Sequence, residues 1–354
     1  MIKEWKLRMY QEGDETGIVS LINLVFPTAE YDMRRWLWKY KNNPYGFLAV
    51  VAEHNGKIVG HMSLFLFDVK VGKQIIRGSQ ACDLCVHPAF RRQGMFLAIG
   101  KTLMEKASDQ GVFLTSAFPT EPARRGHLKY GFFDVSRLPI LVSYFDTYEA
   151  IIEKYENLRR ISPLTKHFSR FLNYYFSIKR EHEPPSVKGL EIAETNFFDE
   201  RINEFWNRAS RNYDMLVVRN RRYLNWRYFD RPDINYDVLL AEKTGQVEGY
   251  LVMSTQKSQR RKLGYIIDFL SSSKHVFLNL VHTSIEYLSG QSVDSIRCLM
   301  QKNNGWYEAL KGNGFMPYLQ EKPRFVARIN SSKFFQLYKT PKEWYVTYGD
   351  WDVY

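Results

Sequence analysis

Cysteine is scarce: Cys82, Cys85 and Cys298 are the three in 354 residues. A disulfide framework is excluded, and a chain this long buries a core without one. Long apolar runs are missing too. No stretch approaches the roughly 18 uninterrupted apolar residues of a membrane helix, so no membrane span is expected. The opening MIKEWKLRMYQEGDE turns acidic where a secretory signal carries its apolar core, and the expectation is a cytoplasmic protein. Rings are plentiful: aromatics are 16% and hydrophobic residues 45%, which excludes a disordered chain. At roughly 100–200 residues per domain, the length points to two domains.

Cys82 and Cys85 form a CxxC, which suggests zinc or redox chemistry. Zinc wants four ligands, and no second CxxC or paired HxxxH is present. The surrounding Gln80-Ala81-Cys82-Asp83-Leu84-Cys85-Val86 reads instead as a buried strand in which cysteine acts as a small apolar residue. No metal is expected. The net charge is +12, and residues 151–190 are its densest part, with 8 Lys+Arg against 4 Asp+Glu. A basic balance favours anionic partners, whether nucleic acid, acidic lipid or a phosphorylated cofactor, without choosing among them.

The chain repeats itself. Trp36-Leu37-Trp38-Lys39-Tyr40 with Pro44 resembles Leu224-Asn225-Trp226-Arg227-Tyr228 with Pro232. Each is followed by an apolar strand ending in Ala-Glu (Ala52-Glu53, Ala241-Glu242), then a glycine turn and a second strand. Cys82-Asp83-Leu84 matches Ile267-Asp268-Phe269, and Gly131-Phe132 matches Gly314-Phe315. Five landmarks in one order indicate two copies of one α/β (α+β) domain, over residues 1–147 and 189–354. Each copy reads as a mixed, mostly antiparallel sheet flanked by helices. The connector, 148–188, reads as helical on both sides of Pro163, with Phe168, Phe171, Leu172 and Tyr175 at three- and four-residue spacing. Its aromatic face is read as packing between the domains; a membrane-surface or nucleic-acid face is the alternative.

The segment Val86-His87-Pro88-Ala89-Phe90-Arg91-Arg92-Gln93-Gly94-Met95-Phe96 carries the chemistry. A strand ends, Pro88 stops its pairing, and a basic loop with Gly94 opens a long helix. Free N–H groups at a helix start, its dipole and a glycine allowing close approach suit a phosphate group; a surface turn with solvated arginines is the plain alternative. This stretch resembles motif A of the GNAT superfamily of N-acetyltransferases, V-x-P-x-x-R followed by Q/R-x-x-G-x-G/A. Phe96 departs from it, standing where the family usually has Gly or Ala. Gly126–Phe132 resembles the family's later Gly-Phe landmark, and the likeness covers residues 1–147. After Asp268 the second copy has Ser271-Ser272-Ser273-Lys274-His275 and no such loop, and so resembles a degenerate GNAT domain.

The resemblance implies acetyl-CoA as co-substrate. The backbone of Leu84, Cys85 and Val86 would pair with its pantetheine arm. The N–H groups of Arg91, Arg92, Gln93, Gly94, Met95 and Phe96 would hold its pyrophosphate. It further implies direct attack by an amine, with a strand N–H as oxyanion donor. The family's usual acid, a Tyr, falls on His127, which is either that acid or a surface histidine. Tyr130 reads as core. Asp83 is the base candidate, unless it makes a structural hydrogen bond shared with Asp268. Glu121 is a candidate contact for a cationic acceptor. The resulting reading is an N-acetyltransferase acting on a small-molecule or peptide amine. A non-catalytic GNAT-fold scaffold or acyl-CoA sensor is the alternative. A Fem-type aminoacyl-tRNA-dependent transferase, which would bring in nucleic acid, is a third.

Overall fold

The computed structural model describes residues 4–148, 151, 162–180, 183–258, 261–302, 304–318, 322–330 and 344–354. The first copy begins with β1 (Lys6–Met9) and α1 (Glu15–Val25). Then α2 (Met33–Trp36) runs into a wider helical turn over Leu37–Lys41. Asp32 caps α2, its carboxylate accepting from the Arg35 N–H at 2.8 Å. A meander comes next: β2 (Phe47–His54), β3 (Lys57–Val71) and β4 (Gln74–Val86). Asn55-Gly56 joins β2 to β3 with positive φ at both residues, the two-residue turn that matches strand twist. Beyond it lie α3 (Met95–Asp109), β5 (Leu114–Ala117), α4 (Glu121–Leu128), β6 (Phe133–Arg137) and β7 (Ile140–Tyr144). Helix α3 buries Met95, Ile99, Leu103, Met104 and Ala107, a stripe at helical spacing, against the meander.

After α5 (Ser162–Arg180) the plan recurs: β8 (Leu190–Glu194), α6 (Arg201–Ala209), β9 (Met215–Val217), α7 (Arg221–Tyr228), β10 (Asp237–Lys243), β11 (Gln246–Ser258) and β12 (Arg261–Ser271). It closes with α8 (Lys274–Gly290), β13 (Ser295–Leu299), α9 (Gly305–Gly312), β14 (Met316–Tyr318) and β15 (Arg324–Ile329). Asn220 caps α7 as Asp32 caps α2, accepting from the Tyr223 N–H at 2.9 Å. Thr244-Gly245 repeats the positive-φ turn of Asn55-Gly56.

The two sheets have one plan. The first runs β1-β2-β3-β4-β5-β15-β6, with β9 added along the end of β3; the second runs β8-β10-β11-β12-β13-β7-β14. Among their pairings β4–β5 and β12–β13 are parallel and the others antiparallel. One position is exchanged. Strand β7, from the first copy, lies between β13 and β14, while β15, from the second, lies between β5 and β6. Boundaries at 147 and 189 therefore do not divide the structure: each sheet is completed by a strand of the other copy. Sequence order cannot show this, because a strand's partner is a choice between equivalent edges.

The matched tryptophans meet at the centre. Trp38 and Trp226 stack with ring centroids 5.3 Å apart. Each indole N–H donates to the other's backbone carbonyl, at 2.8 and 2.9 Å. Reciprocal bonds between equivalent residues mark a local pseudo-twofold relation between the halves. The connector differs from expectation. Pro163 lies inside the first turn of α5, where its missing N–H costs nothing. Phe168 and Phe171 face solvent. The stretch ahead of α5 lies outside the described residues, Ile151 excepted.

Candidate active site

Strand β4 pairs with β5 at Gly78, Ser79 and Gln80, and the two then part. From Ala81 to Val86 the edge of β4 that faces β5 has no strand beside it among the described residues. On its other edge, β4 carries a bulge. His61 opposes Cys85 and Ser63 opposes Cys82, so Met62 faces both Asp83 and Leu84. Asp83 takes φ +53°, a left-handed conformation that Asp tolerates better than most residues. Strand β12 has a bulge at the same place, and β13 parts from it after Ile266. The parted strands are thus common to both halves.

The loops beyond these strands differ between the halves. In the first, Val86 leads into a turn over Pro88–Phe90, with the Phe90 ring buried beside His54 and His87. Arg91 and Arg92 are exposed. Arg92 at φ +61° and Gly94 at φ +79° then curl the backbone into the start of α3. Leu97 and Ala98 donate to the Gly94 carbonyl, leaving the N–H groups of Arg92, Gln93, Gly94, Met95 and Phe96 without a partner among the described residues. Consecutive free N–H groups at a helix start form a concave anion site. A Cβ at Gly94 would meet nothing within 4 Å, so the glycine serves the conformation and leaves open space in front of it. In the second half two residues, Ser272 and Ser273, separate β12 from α8. Ser273 caps the helix itself, accepting from the Val276 N–H at 3.3 Å. The Tyr345 hydroxyl donates to the Phe269 carbonyl of β12. The N–H groups of Ser273, Lys274 and His275 have no partner among the described residues, but no residue from 271 to 276 takes positive φ to curl them into a concave run.

Phe96, at the position usually small in GNAT motifs, lies in the contact between α3 and α4. Its ring packs beside His127 and Tyr130, and a methyl added to Gly126 would overlap it. The large residue on one helix is matched by glycine on the other. His127 is buried, not a surface histidine. It hydrogen-bonds the Ala123 carbonyl through Nδ1 at 2.8 Å and packs edge-on to Phe132. Burial holds its pKa below the ordinary value, against the opposing pull of that carbonyl. Tyr130 is core, as expected, and burial raises its hydroxyl pKa.

Asp83 is committed to neighbours. Its carboxylate accepts from Lys39 Nζ at 3.1 Å, the Tyr31 hydroxyl at 3.1 Å and the Tyr40 hydroxyl at 2.5 Å. Burial alone would raise its pKa; the Lys39 charge and the Tyr40 hydroxyl overrule that and bring it to about 2. A carboxylate held so firmly ionised is a poor acceptor of protons at neutral pH. Lys39, buried, is shared with Asp352 at 2.8 Å. Asp268 holds the matching place with another cation: Arg219 pairs with it at 3.0 Å and with Asp350 at 2.9 Å. Glu121 stands at the exposed start of α4, paired with Arg324 at 2.5 Å and Arg124 at 3.3 Å. Two arginines answer its charge, which leaves little for a cationic acceptor.

Sequence reasoning passes over Lys39, Asp350 and Asp352. Lys39 has a signal, a cation between Trp and Tyr in both copies; the aspartates of Gly349-Asp350-Trp351-Asp352 have none. This terminal segment lies between the halves. The Gln80 amide donates to the Asp350 carbonyl at 2.6 Å, Trp351 stacks on Phe118, and Arg227 donates to the Gly349 and Trp351 carbonyls.

Residues 6–133 match the sequence model of the acetyltransferase (GNAT) domain, and this stretch is a GNAT domain. No curated protein matches the sequence. Among solved structures, a GCN5-related N-acetyltransferase from Anabaena variabilis is 12% identical, with a TM-score of 0.67 over 93% of this chain and 73% of that one. A probable N-acyltransferase from Enterococcus faecalis, described as a conserved protein of unknown function, is 13% identical, with a TM-score of 0.66 over 92% and 73%. N-myristoyltransferase from Saccharomyces cerevisiae, with bound myristoyl-CoA, is 10% identical, with a TM-score of 0.59 over 93% and 83%. At these identities the likeness is one of fold. It spans nearly the whole chain, both sheets included. The mixed α/β architecture is that of GNAT-like proteins.

Proposed function

We propose that this chain transfers an acetyl group from acetyl-CoA to an amine of a small molecule or peptide, using the first copy. The observation that carries this reading is the run of five unpartnered N–H groups from Arg92 to Phe96, set beside the free edge of β4 and curled by positive φ at Arg92 and Gly94, a curl that the matching turn of the second half lacks. The donor set suits a pyrophosphate: backbone N–H groups aimed by two left-handed residues, with the charges of Arg91 and Arg92 alongside. Leu84, Cys85 and Val86 would offer their edge to the pantetheine amides. The thioester supplies an activated acyl group. An N–H on the same edge would stabilise the oxyanion as the amine nitrogen bonds to the acyl carbon and the carbon–sulfur bond breaks. The amine loses a proton and the thiolate gains one. Asp83, kept ionised by Lys39, is assigned to holding the bulge in shape rather than to that proton transfer. The terminal segment around Trp351 would form one wall of the acceptor cleft.

Binding of acetyl-CoA, free CoA and ATP to the full chain tests the cradle, by calorimetry and thermal shift. Saturating acetyl-CoA at 100 times its Kd should stabilise the protein by roughly 2.7 kcal/mol. Gly94→Asp should weaken binding about tenfold or more, the equivalent of roughly 1.4 kcal/mol. Gly94→Asn, which tolerates the same backbone without the charge, should bind nearly as wild type. Equal binding by both variants, or none by wild type, would sink the reading. Thiol release with a panel of amines, using acetyl-CoA and longer acyl-CoA donors, then identifies acceptor and acyl length.

A further inference from the structure

Helix α5 turns its apolar side outward. Leu164, Phe168, Phe171, Tyr174 and Ile178 recur at spacings of three and four residues and so share a face. Each keeps 45–68% of its surface exposed. The fully buried residues of α5, among those described, are small and polar. Thr165 and Ser169 are buried, the Thr147 N–H donates to the Asn173 side chain at 2.9 Å, and the Thr147 hydroxyl donates to the Ser169 carbonyl at 3.2 Å. A helix whose purpose is the core does the reverse.

The charge of α5 has one sign. Lys166, Arg170, Lys179 and Arg180 lie within Ser162–Arg180, and neither Asp nor Glu does. Lys166 and Arg170 are exposed, Lys166 resting 5.6 Å from the Tyr148 ring. No helix among the described residues is long and apolar enough to cross a membrane. Large apolar side chains on one face, low overall hydrophobicity and cations without carboxylates are the properties of a helix that lies in a membrane interface.

We propose that this face docks on the surface of an anionic lipid membrane. The apolar side chains enter the boundary between headgroups and acyl chains, and the cations pair with lipid phosphates. A second copy of the chain is a poorer occupant, because it would set one cationic helix against another. The docking is independent of whether the first copy transfers acyl groups.

The test is co-sedimentation of the full chain with vesicles of phosphatidylcholine alone and of phosphatidylcholine mixed with phosphatidylserine. Partition is expected on the anionic vesicles, weakening as salt rises. The double substitution Phe168→Glu with Phe171→Glu should reduce it about tenfold or more, and Lys166→Glu with Arg170→Glu should reduce it and flatten its salt dependence. All four positions are exposed, so circular dichroism and melting temperature should match wild type. Three results would overturn the proposal: no partition on anionic vesicles, partition unchanged by both double substitutions, or a dimer in solution that Phe168→Glu with Phe171→Glu abolishes. The last would assign the face to a second copy.

Discussion

Asp83 lies between a buried ammonium and two tyrosine hydroxyls, and His61 is buried one strand away, its Nε2 2.8 Å from the Ser63 hydroxyl. Both ionise differently in the folded and unfolded chain. Burial, against the opposing charge of Asp83, pushes the His61 pKa down to about 4. The unfolded state therefore binds the extra proton first, and stability falls as pH drops from about 6.5 to about 4, by on the order of 3 kcal/mol. Asp83 titrates near 2 when folded, so its contribution is present above about 4 and lost between about 4 and 2. Urea unfolding across pH should show two successive losses. His61→Asn should remove the first. Asp83→Asn should remove the second and cost roughly 3 kcal/mol at neutral pH, because Lys39 loses one of its two carboxylates. An unchanged pH profile in both variants would count against this assignment.

Among the elements, the contact of α3 with α4 explains how a large side chain occupies position 96. The Phe96 ring fills space that exists because residue 126 has no Cβ. Gly126→Ala should destabilise the protein by roughly 1–3 kcal/mol through overpacking. Phe96→Ala combined with it should recover part of that loss, and a double-mutant cycle should show coupling well outside additivity. Additive effects would mean that the helices part instead of clashing. The loops after β4 and β12 differ for a reason of length. Two similar bulged strands end in different loops: the longer one leaves five consecutive N–H groups without a partner among the described residues and curls them with positive φ at Arg92 and Gly94, whereas the shorter one leaves those of Ser273, Lys274 and His275 with no such curl.

At the scale of the molecule the exchange of β7 and β15 makes the copies interdependent. Without the second copy, β5 and β6 lose their shared neighbour, and β7 exposes Ile140, Leu141 and Val142, all buried in the full chain. A fragment of residues 1–147 should therefore fail to melt cooperatively, whereas the full chain should unfold in one transition by circular dichroism. A fragment with a sharp melt of its own would show that β15 is dispensable to the first sheet.

Much of this fold is legible in the residues. Glycine turns, apolar alternation and the Trp-cation-Tyr repeat point to strands over Phe47–Ala52 and Ile58–Phe67, within the observed Phe47–His54 and Lys57–Val71, because these signals act over a few neighbours along the chain. Strand β4 has strand composition from Gln80 and in fact begins at Gln74. The loop from Val86 to Phe96 is legible too, since a helix start with glycine and arginine is a local device. The commitment of Asp83 is not, as Lys39 lies 44 residues away and Asp352 lies 269 away. Nor is the outward face of α5, because period tells which residues share a side and not which side is buried. By itself the sequence determined the repeat, the local elements and the glycine loop that opens α3, all consequences of short-range backbone chemistry. Only the tertiary structure decided which strand completes each sheet, which carboxylates share a cation and which helix face meets water, because each of these is a choice among partners distant along the chain.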